Sequence, residues 1–477
     1  MCTLSAYEIK CTQFKPTGRH TVKNVLFEEI ILPIYYRYKR QDRYKYYREF
    51  RKANNLTEEQ LQEVQWKNLK RLVNHCYKNI SYYQRLFREH DIHPEDIKSL
   101  SDYAQIPELK KQHLKNHYKE LMDPKLTEKD ITFSATGGTT GEPMKIYKSL
   151  QDQEQGYALR YRSNEWCGWR LSEKAVWFVA DLKRVENVLN KEVNIKTQLG
   201  NWIRRKLVLD TRDCSIQNMT RWAAQIQEYK PEQIYGYSSL IAEFCRFVVK
   251  NNIKFTGIKG VYSTAEPLLE RKLISKAFNA PVYDQYGCSE IPCIAHECKH
   301  GNMHLNSDWI LAEFVDIPNC KDLKRIVCTP LYAYGVPLLR YDVGDIAVAA
   351  SKKCDCGLNY PVIELKVGRL SDNILAPDGT IVSSSLLGWQ FEHAMRGIKQ
   401  YQVIQKEIDH IHVIIVRENG YTDENENIIR NHFAKILDCK SVRVTFEYND
   451  RILAEKNGKF RTIKSIPLER ERQKDPK

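Results

Sequence analysis

Ser134-Ala-Thr-Gly-Gly-Thr-Thr-Gly-Glu-Pro-Met-Lys-Ile-Tyr147 decides how the rest of the chain is read. Ser134 to Gly141 packs three glycines and four hydroxyl residues into eight positions. Such a run makes neither a good helix nor a packed strand. Its backbone N–H groups and hydroxyls can converge on phosphate oxygens. The Gly-Lys-Ser/Thr ending of the common nucleotide loop is absent. A flexible surface loop is the plain alternative, and the downstream sequence decides between the two.

The 477 residues are enough for about two or three domains with a sizeable core. With 42% hydrophobic and 28% charged residues, the chain reads as soluble and globular. No apolar run reaches the roughly 18 residues of a spanning helix. The start, Met-Cys-Thr-Leu-Ser-Ala-Tyr-Glu-Ile-Lys, lacks the apolar core of a secretory signal. A cytoplasmic location is therefore expected, with the fourteen scattered cysteines reduced and a few free to hold a metal.

The net charge of +14 permits attraction to nucleic acid, anionic lipid or a phosphorylated substrate, without choosing among them. Much of it is local. Tyr36 to Lys52 carries eight Arg/Lys against two acids, with tyrosines interleaved. The reading preferred there is an ordinary helix with a solvated face. A nucleic-acid partner is not expected, and a peripheral membrane contact stays open.

Periodicity outlines an α/β chain. Thr57 and Gln60 form a capping box ahead of Leu61, Val64, Leu69, Leu72, Val73 and Cys76 at helical spacing. Further helices are expected at Ser81–His90, in short pieces around Pro107, and at Gln151–Cys167, Thr220–Tyr229 and Leu240–Lys250. Short apolar strands are expected at Ala175–Ala180, Ile234–Tyr237, Gly260–Thr264 and Pro281–Tyr286. Leu26–Tyr36 is apolar but interrupted by Pro33. From Ile310 a smaller β-rich section is expected, with strands at Ile310–Val315, Lys324–Thr329 and Asp345–Ala350. A compact α+β unit follows, with a hairpin in Gln402–Val416, a helix at Glu424–Leu437 and a strand at Ser441–Tyr448.

Four more segments carry chemistry: Tyr283-Asp-Gln-Tyr-Gly-Cys-Ser-Glu290, Arg340-Tyr-Asp-Val-Gly-Asp345, Val367-Gly-Arg-Leu-Ser-Asp372 and Lys456-Asn-Gly-Lys-Phe-Arg461. The first places Glu290 beyond the carboxyl end of a strand, where ligands gather in open α/β sheets. Each is weak alone. Their order after the glycine loop resembles the adenylate-forming superfamily, and within it the phenylacetate–CoA ligase and coenzyme F390 synthetase group. The nearest likeness is to the CapK-like branch, associated with capsular polysaccharide synthesis. The resemblance runs from about residue 26 to about residue 467 and includes Gln65-Trp-Lys-Asn-Leu, Ser81-Tyr-Tyr-Gln and Ile106-Pro near the front.

The resemblance implies an ATP-dependent enzyme that activates a carboxylic acid as an acyl-adenylate. A large domain, residues 1–370, would bind ATP, Mg²⁺ and the acid, with a helical part at about 26–120. A small mobile lid domain, residues 371–477, would hinge at Ser371 or Asp372. The loop Thr136, Gly137, Gly138, Thr139, Thr140 and Gly141 would close over phosphates. Relatives often carry lysine where this chain has Glu142, which leaves Lys145 as a substitute cation. Ser263, Ala265 and Glu266 would flank adenine with Tyr286 and Gly287. Glu290 would bind Mg²⁺, Asp345 the ribose hydroxyls, and Arg369 the ribose or α-phosphate. Lys459 would neutralise the charge that develops as carboxylate meets phosphate. Tyr235 and Tyr237 would border the acid pocket.

The acceptor is left open between coenzyme A and an amine, as in the decoration of a glycan. A non-catalytic or adenylyl-transferring scaffold of envelope assembly is the other reading. Cys298, His304, Cys354 and Cys356 offer four N/S ligands on two loops, which suits structural Zn²⁺. Several relatives carry such a set between the same motifs. Cys293, His296 and His300 are nearby competitors.

Overall fold

The computed structural model describes residues 22–136, 144–179, 195–211, 213–265, 268, 270–317, 320–349, 353–369, 374–379, 381–382, 397–437, 442–452 and 462–474. β1 (Ile131–Thr136) and β2 (Met144–Ser149) form an antiparallel hairpin with Thr136 opposite Met144. Residues 137–143, most of the glycine loop, join these strands and lie outside the described residues.

One eleven-stranded sheet organises the molecule. β3 (Ala175–Val179), β4 (Lys206–Asp210), β5 (Gln233–Tyr237), β6 (Gly260–Thr264) and β7 (Val282–Tyr286) run parallel, in spatial order β4-β3-β5-β6-β7. The alternation of side chains along them sorts two faces. Val176, Phe178, Ile234, Val261 and Val282 pack under the helices Ile216–Tyr229, Ser238–Lys250 and Arg271–Phe278, whose Trp222, Phe244 and Phe278 are buried with them. Their neighbours Trp177, Tyr235, Tyr262 and Tyr283 form an aromatic row on the other face. A one-residue slip of register would exchange aliphatic for aromatic across the whole core.

Past β7 the sheet turns antiparallel. β8 (Ala295–Glu297) and β9 (Met303–Leu305) come next. β10 (Ile310–Ile317), β11 (Cys320–Pro330), β12 (Tyr341–Ala349) and β13 (Val362–Arg369) complete it, with β13 paired to β9. The β-rich section expected from Ile310 is therefore a continuation of the main sheet.

The helix Glu58–Asn79 begins at the expected capping box, with Thr57 accepting from the Gln60 N–H, and buries the expected apolar stripe. Asn68 is buried on the same side and donates to the Tyr332 hydroxyl at 2.9 Å. Arg340 ties this helical part to the sheet. Its guanidinium pairs with Glu313 and donates to the carbonyls of Ala104 and Ile106.

After the short pair β14 (Ile374–Leu375) and β15 (Ile381–Val382), a four-stranded sheet has its own core. It contains β16 (Ile398–Glu407), β17 (His410–Arg417), β18 (Arg443–Tyr448) and β19 (Ile463–Ser465), in order β18-β17-β16-β19. The helix Asp423–Ile436 closes it with Ile429 and Phe433 against Val403, Ile411 and Val413.

The helix Leu150–Asn164, which leaves the glycine hairpin, is fixed by Arg162. That guanidinium is fully buried and meets Asp308 at 3.0 and 3.2 Å, Asn306 at 2.9 Å, and the Tyr360 hydroxyl. Removing one partner of a desolvated pair strands the other charge. Asp308→Ala is expected to cost about 3–5 kcal/mol in urea unfolding. Arg246→Ala, which breaks the exposed Arg246–Glu243 pair, is expected to stay within about 1 kcal/mol of the wild type.

Candidate functional site

The carboxyl end of β7 delivers Tyr286 and then a tight turn. Any Cβ at Gly287 would lie 2.6 Å from the Pro292 carbonyl oxygen, so only glycine lets the chain double back there. The turn carries Cys288 and Glu290. β12 approaches from the antiparallel half with Tyr341 and Asp345. Gly344 takes φ +77 between them, its N–H donating to Asp342 Oδ1 at 2.8 Å. That local kink breaks the even alternation of β12.

Two hydrogen bonds then cross between the segments. Tyr286 donates to Asp345 Oδ2 at 2.8 Å. Tyr341 donates to Glu290 Oε1 at 3.0 Å. Each motif thus supplies one phenol and one carboxylate, and each phenol serves the other motif's acid. Burial pushes the Tyr286 phenol well above its usual range, with Asp345 adding to the shift, so it stays a donor. Asp345 sits opposite Arg369 in the β12–β13 register, which brings the motifs that carry these two residues together at the backbone.

Beside Glu290 lies a cavity lined by Tyr147, Lys148, Asp152, Trp309, Val336 and Leu338, among others. Lys145 also reaches it, with its ammonium 5.1 Å from the Phe133 ring centre. Burial lowers the Lys148 ammonium, opposed by Cys288, Glu290 and Asp152. Burial pushes the Asp152 carboxyl up to about 6, against its hydrogen bonds from Ser149. Asp152 also completes the capping box of its helix, with Ser149 Oγ accepting from the Asp152 N–H at 3.0 Å.

Ser263, next to last in β6, is fully buried, and its hydroxyl has no hydrogen-bond partner among the described residues. Ala265 follows with φ +70, in the left-handed region that costs a non-glycine residue strain. Several expected site residues fall outside the described residues: Gly137, Gly138, Thr139, Thr140, Gly141, Glu266 and Lys459, together with Glu142 and both hinge candidates. Thr136 and Arg369 are described as strand ends only. Tyr235 packs tilted against Trp177 with ring centres 4.3 Å apart in the aromatic row, and neither it nor Tyr237 lines the cavity beside Glu290.

Tyr341, Lys148 and Asp152 carry no role in the sequence reading. A signal for Lys148 was present, since strand alternation puts it on the same face as buried Ile146. Tyr341 lies within a motif already quoted, but nothing in the sequence pairs it with Glu290.

A second cluster forms where β8, β9 and the β12–β13 turn meet. One donor atom each from Cys298, His304, Cys354 and Cys356 lies within 4.8 Å of the others. The Cys298 and Cys354 sulfurs are 3.7 Å apart, and Cys356 Sγ lies 3.4 Å from His304 Nε2. Tetrahedral Zn–S bonds of about 2.3 Å put sulfurs about 3.8 Å apart, so the set fits that ion. The Tyr360 carbonyl holds His304 Nδ1 at 2.8 Å and turns Nε2 toward the sulfurs. Hydrogen bonding from Cys356, and after it His304, holds the Cys298 thiol well below its usual range. His296 is engaged elsewhere, with Asn164 and the Glu297 carbonyl, and Cys293 faces Ser163 and Asn306.

A family profile described as the CapK C-terminal domain matches residues 374–466. The chain is 25% identical to Protein CapK of Staphylococcus aureus over 454 residues, spanning 92% of this chain and 96% of that one. It is 34% identical over 304 residues to phenylacetate-coenzyme A ligase of Escherichia coli K12, spanning 60% and 67%. Its fold matches a 2-hydroxyisobutyryl-CoA ligase crystallised in the postadenylation state, at TM-score 0.66 and 17% identity, over 87% of this chain and 92% of that one.

Asp152 takes up a proton on folding wherever its raised folded pKa lies above the unfolded value. Its contribution to stability is full below about pH 4 and fades as pH rises through about 6. Asp152→Asn is expected to flatten that part of the stability–pH curve, read by melting temperature between those limits. With the crossed tyrosine–carboxylate pairs at its centre, the chain belongs to the phenylacetate–coenzyme A ligase family of adenylate-forming ligases, in its CapK-like branch.

Proposed function

We propose that this protein uses ATP to activate a carboxylic acid as its acyl-adenylate and then passes the acyl group to an acceptor. The observation that carries the reading is the crossed pairing of Tyr286 with Asp345 and Tyr341 with Glu290. It fixes two acids at the end of β7, the position where nucleotides gather on open α/β sheets. The substrate carboxylate attacks the α-phosphorus. A C–O–P anhydride forms, the α–β phosphoanhydride breaks, and pyrophosphate leaves.

In this reading Tyr286 and Ala265 border the adenine. Tyr286 holds the Asp345 carboxylate, which would accept from the ribose hydroxyls. The loop 136–141 wraps the outer phosphates. Glu290 would hold Mg²⁺, which supplies charge neutralisation on the phosphates. Lys459, on the C-terminal unit that begins near residue 371, enters when that unit closes over the large domain, and closure excludes water from the anhydride. The relatives' names support coenzyme A as the acceptor, which makes the product a thioester. An amine on an envelope glycan is the other acceptor class, supported by the likeness to Protein CapK. The reaction runs where ATP is supplied, in the cytoplasm.

ATP–pyrophosphate exchange over a panel of acids tests the reading. At least one acid is expected to support exchange. Glu290→Ala and Lys459→Ala are each expected to lower it by about 100-fold or more, as the loss of a group aimed at transition-state charge does. Exchange with none of the acids would leave the scaffold reading, which Glu142 at the usual lysine position favours.

Cys298, His304, Cys354 and Cys356 hold structural Zn²⁺ in this reading, clamping the β8–β9 turn to the β12–β13 turn. Elemental analysis is expected to find about one zinc per chain, in keeping with a four-ligand structural site. Cys354→Ser is expected to lose the metal and lower the melting temperature.

A further inference from the structure

The first helix of the described chain presents apolar side chains to solvent on one side and to the core on the other. It runs from Val22 to Tyr38 through a wide π-helical turn at Phe27–Ile31. Phe27, Leu32 and Tyr36 face inward in the main core. Glu28 is buried and accepts from the Ser172 N–H and hydroxyl, and the Arg205 guanidinium stacks 4.1 Å from the Phe27 ring centre. The helix is therefore seated firmly on the body of the protein.

Its outer side is Leu26, Ile30, Ile34 and Tyr38, all exposed, with Tyr38 at 80%. Steps of four overshoot a regular helical turn by about 40° each. The wide turn offsets part of that drift. Val25 and Ile31 are exposed beside them. The neighbouring helix Ile195–Ile203 lies close enough that a Cβ on Gly200 would come 2.8 Å from the Tyr35 hydroxyl. That helix adds Leu199 at 53% and Trp202 at 76% exposure. These two helices hold eight of the sixteen exposed large apolar side chains among the described residues. Scattered exposed leucines need no explanation, whereas a contiguous face marks an interaction.

Charge selects the occupant. The apolar line runs directly into Arg37, Lys39 and Arg40, all exposed. Lys45 and Arg48 are exposed on the helix Arg43–Arg51 that packs beside it. Against these five cations, the described stretch from Val25 to Arg48 exposes two carboxylates, Glu29 and Asp42. A second copy meeting this face by a two-fold axis would bring like-charged rims together. Nucleic acid would use the cations and leave the isoleucines wet. A bilayer with anionic headgroups satisfies both sets, with aliphatic side chains at the acyl boundary, Trp and Tyr at headgroup level, and Arg/Lys on phosphate.

We propose that this face is an interfacial membrane-binding surface for anionic phospholipid, on which the protein lies without crossing the bilayer. Among the described residues no helix is long and apolar enough to cross. Insertion would hold the large domain at the membrane through Leu26, Ile30, Ile34 and Trp202, with Arg37, Lys39 and Arg40 on headgroups. None of these residues belongs to the cleft at Glu290, so the surface stands whether or not the adenylation reading does.

Co-sedimentation of the full chain with phosphatidylcholine vesicles, with and without about 30% phosphatidylglycerol, tests it. Binding is expected on the anionic vesicles, weakening as salt is raised. Ile34→Asp and Trp202→Glu are each expected to weaken it by about tenfold or more, with unchanged melting temperature as the sign of an intact fold. Combined Arg37→Glu, Lys39→Glu and Arg40→Glu is expected to abolish the preference for anionic vesicles. No binding to either composition would overturn the proposal, as would binding that these substitutions leave untouched. Self-association that Ile34→Asp or Trp202→Glu breaks, without vesicle binding, would assign the face to a second copy instead.

Discussion

The buried contact between Arg162 and Asp308 is the constraint on which the arrangement of parts depends. It joins the helix that leaves the glycine hairpin to the turn between β9 and β10. Its remaining partners reach further: Asn54 and the Phe50 carbonyl toward the first helices, at 3.5 Å each, and Tyr360 toward the β12–β13 turn. The carbonyl of Tyr360 in turn sets the ring of His304. One guanidinium thus puts the hairpin, the antiparallel half-sheet and the Cys/His cluster in a common frame. An apolar core could match it in free energy. A guanidinium donates only in its own plane, and that planarity gives a direction which packing alone lacks.

Within that frame the site was legible by residue type and illegible by pairing. Glycines, Glu290 and Asp345 stand in an order that resembles a known series, because the chemistry of phosphate and ribose needs those types. Which phenol meets which acid depends on the register between β7 and β12. Four neighbour pairings separate those strands in the sheet, and the one between β12 and β13 carries two register shifts. No periodicity encodes that sum of offsets. The Cys/His set was legible as four donors on two loops, and the competitors Cys293 and His296 were excluded only once Asn164, Ser163 and Asn306 were seen to engage them.

The fold follows the same division. The capping box at Thr57 and the apolar stripe after it are local, and both are present as read. Four of the five parallel strands form at the short apolar runs expected for them, and β4 is a strand for which no expectation was made. The proline at 33 reads as an interruption, yet the helix passes through it. Pro33 stands two residues after the wide turn, where the backbone ladder is already out of α register and its missing N–H costs little. The strands after Ile310 read as a separate section because their antiparallel texture differs. They belong to the main sheet because β13 pairs with β9, and a contact between residues so far apart in sequence leaves no local trace.

The charges in the cleft are not independent of one another. Lys148 lies on an apolar face, and burial works against its charge. The carboxylates of Glu290 and Asp152 oppose that lowering, and burial presses the Asp152 carboxyl the other way. Protonating Asp152 removes one of the anions that oppose the lowering of Lys148. Glu290 is held toward β12 by Tyr341 while its field reaches Lys148 on β2. A change at Glu290 therefore alters both the carboxylate at the end of β7 and the ammonium facing it. In a chain with Glu142 in its glycine loop, the cations that line the cavity beside that carboxylate, Lys145 and Lys148, come from the strand behind the loop.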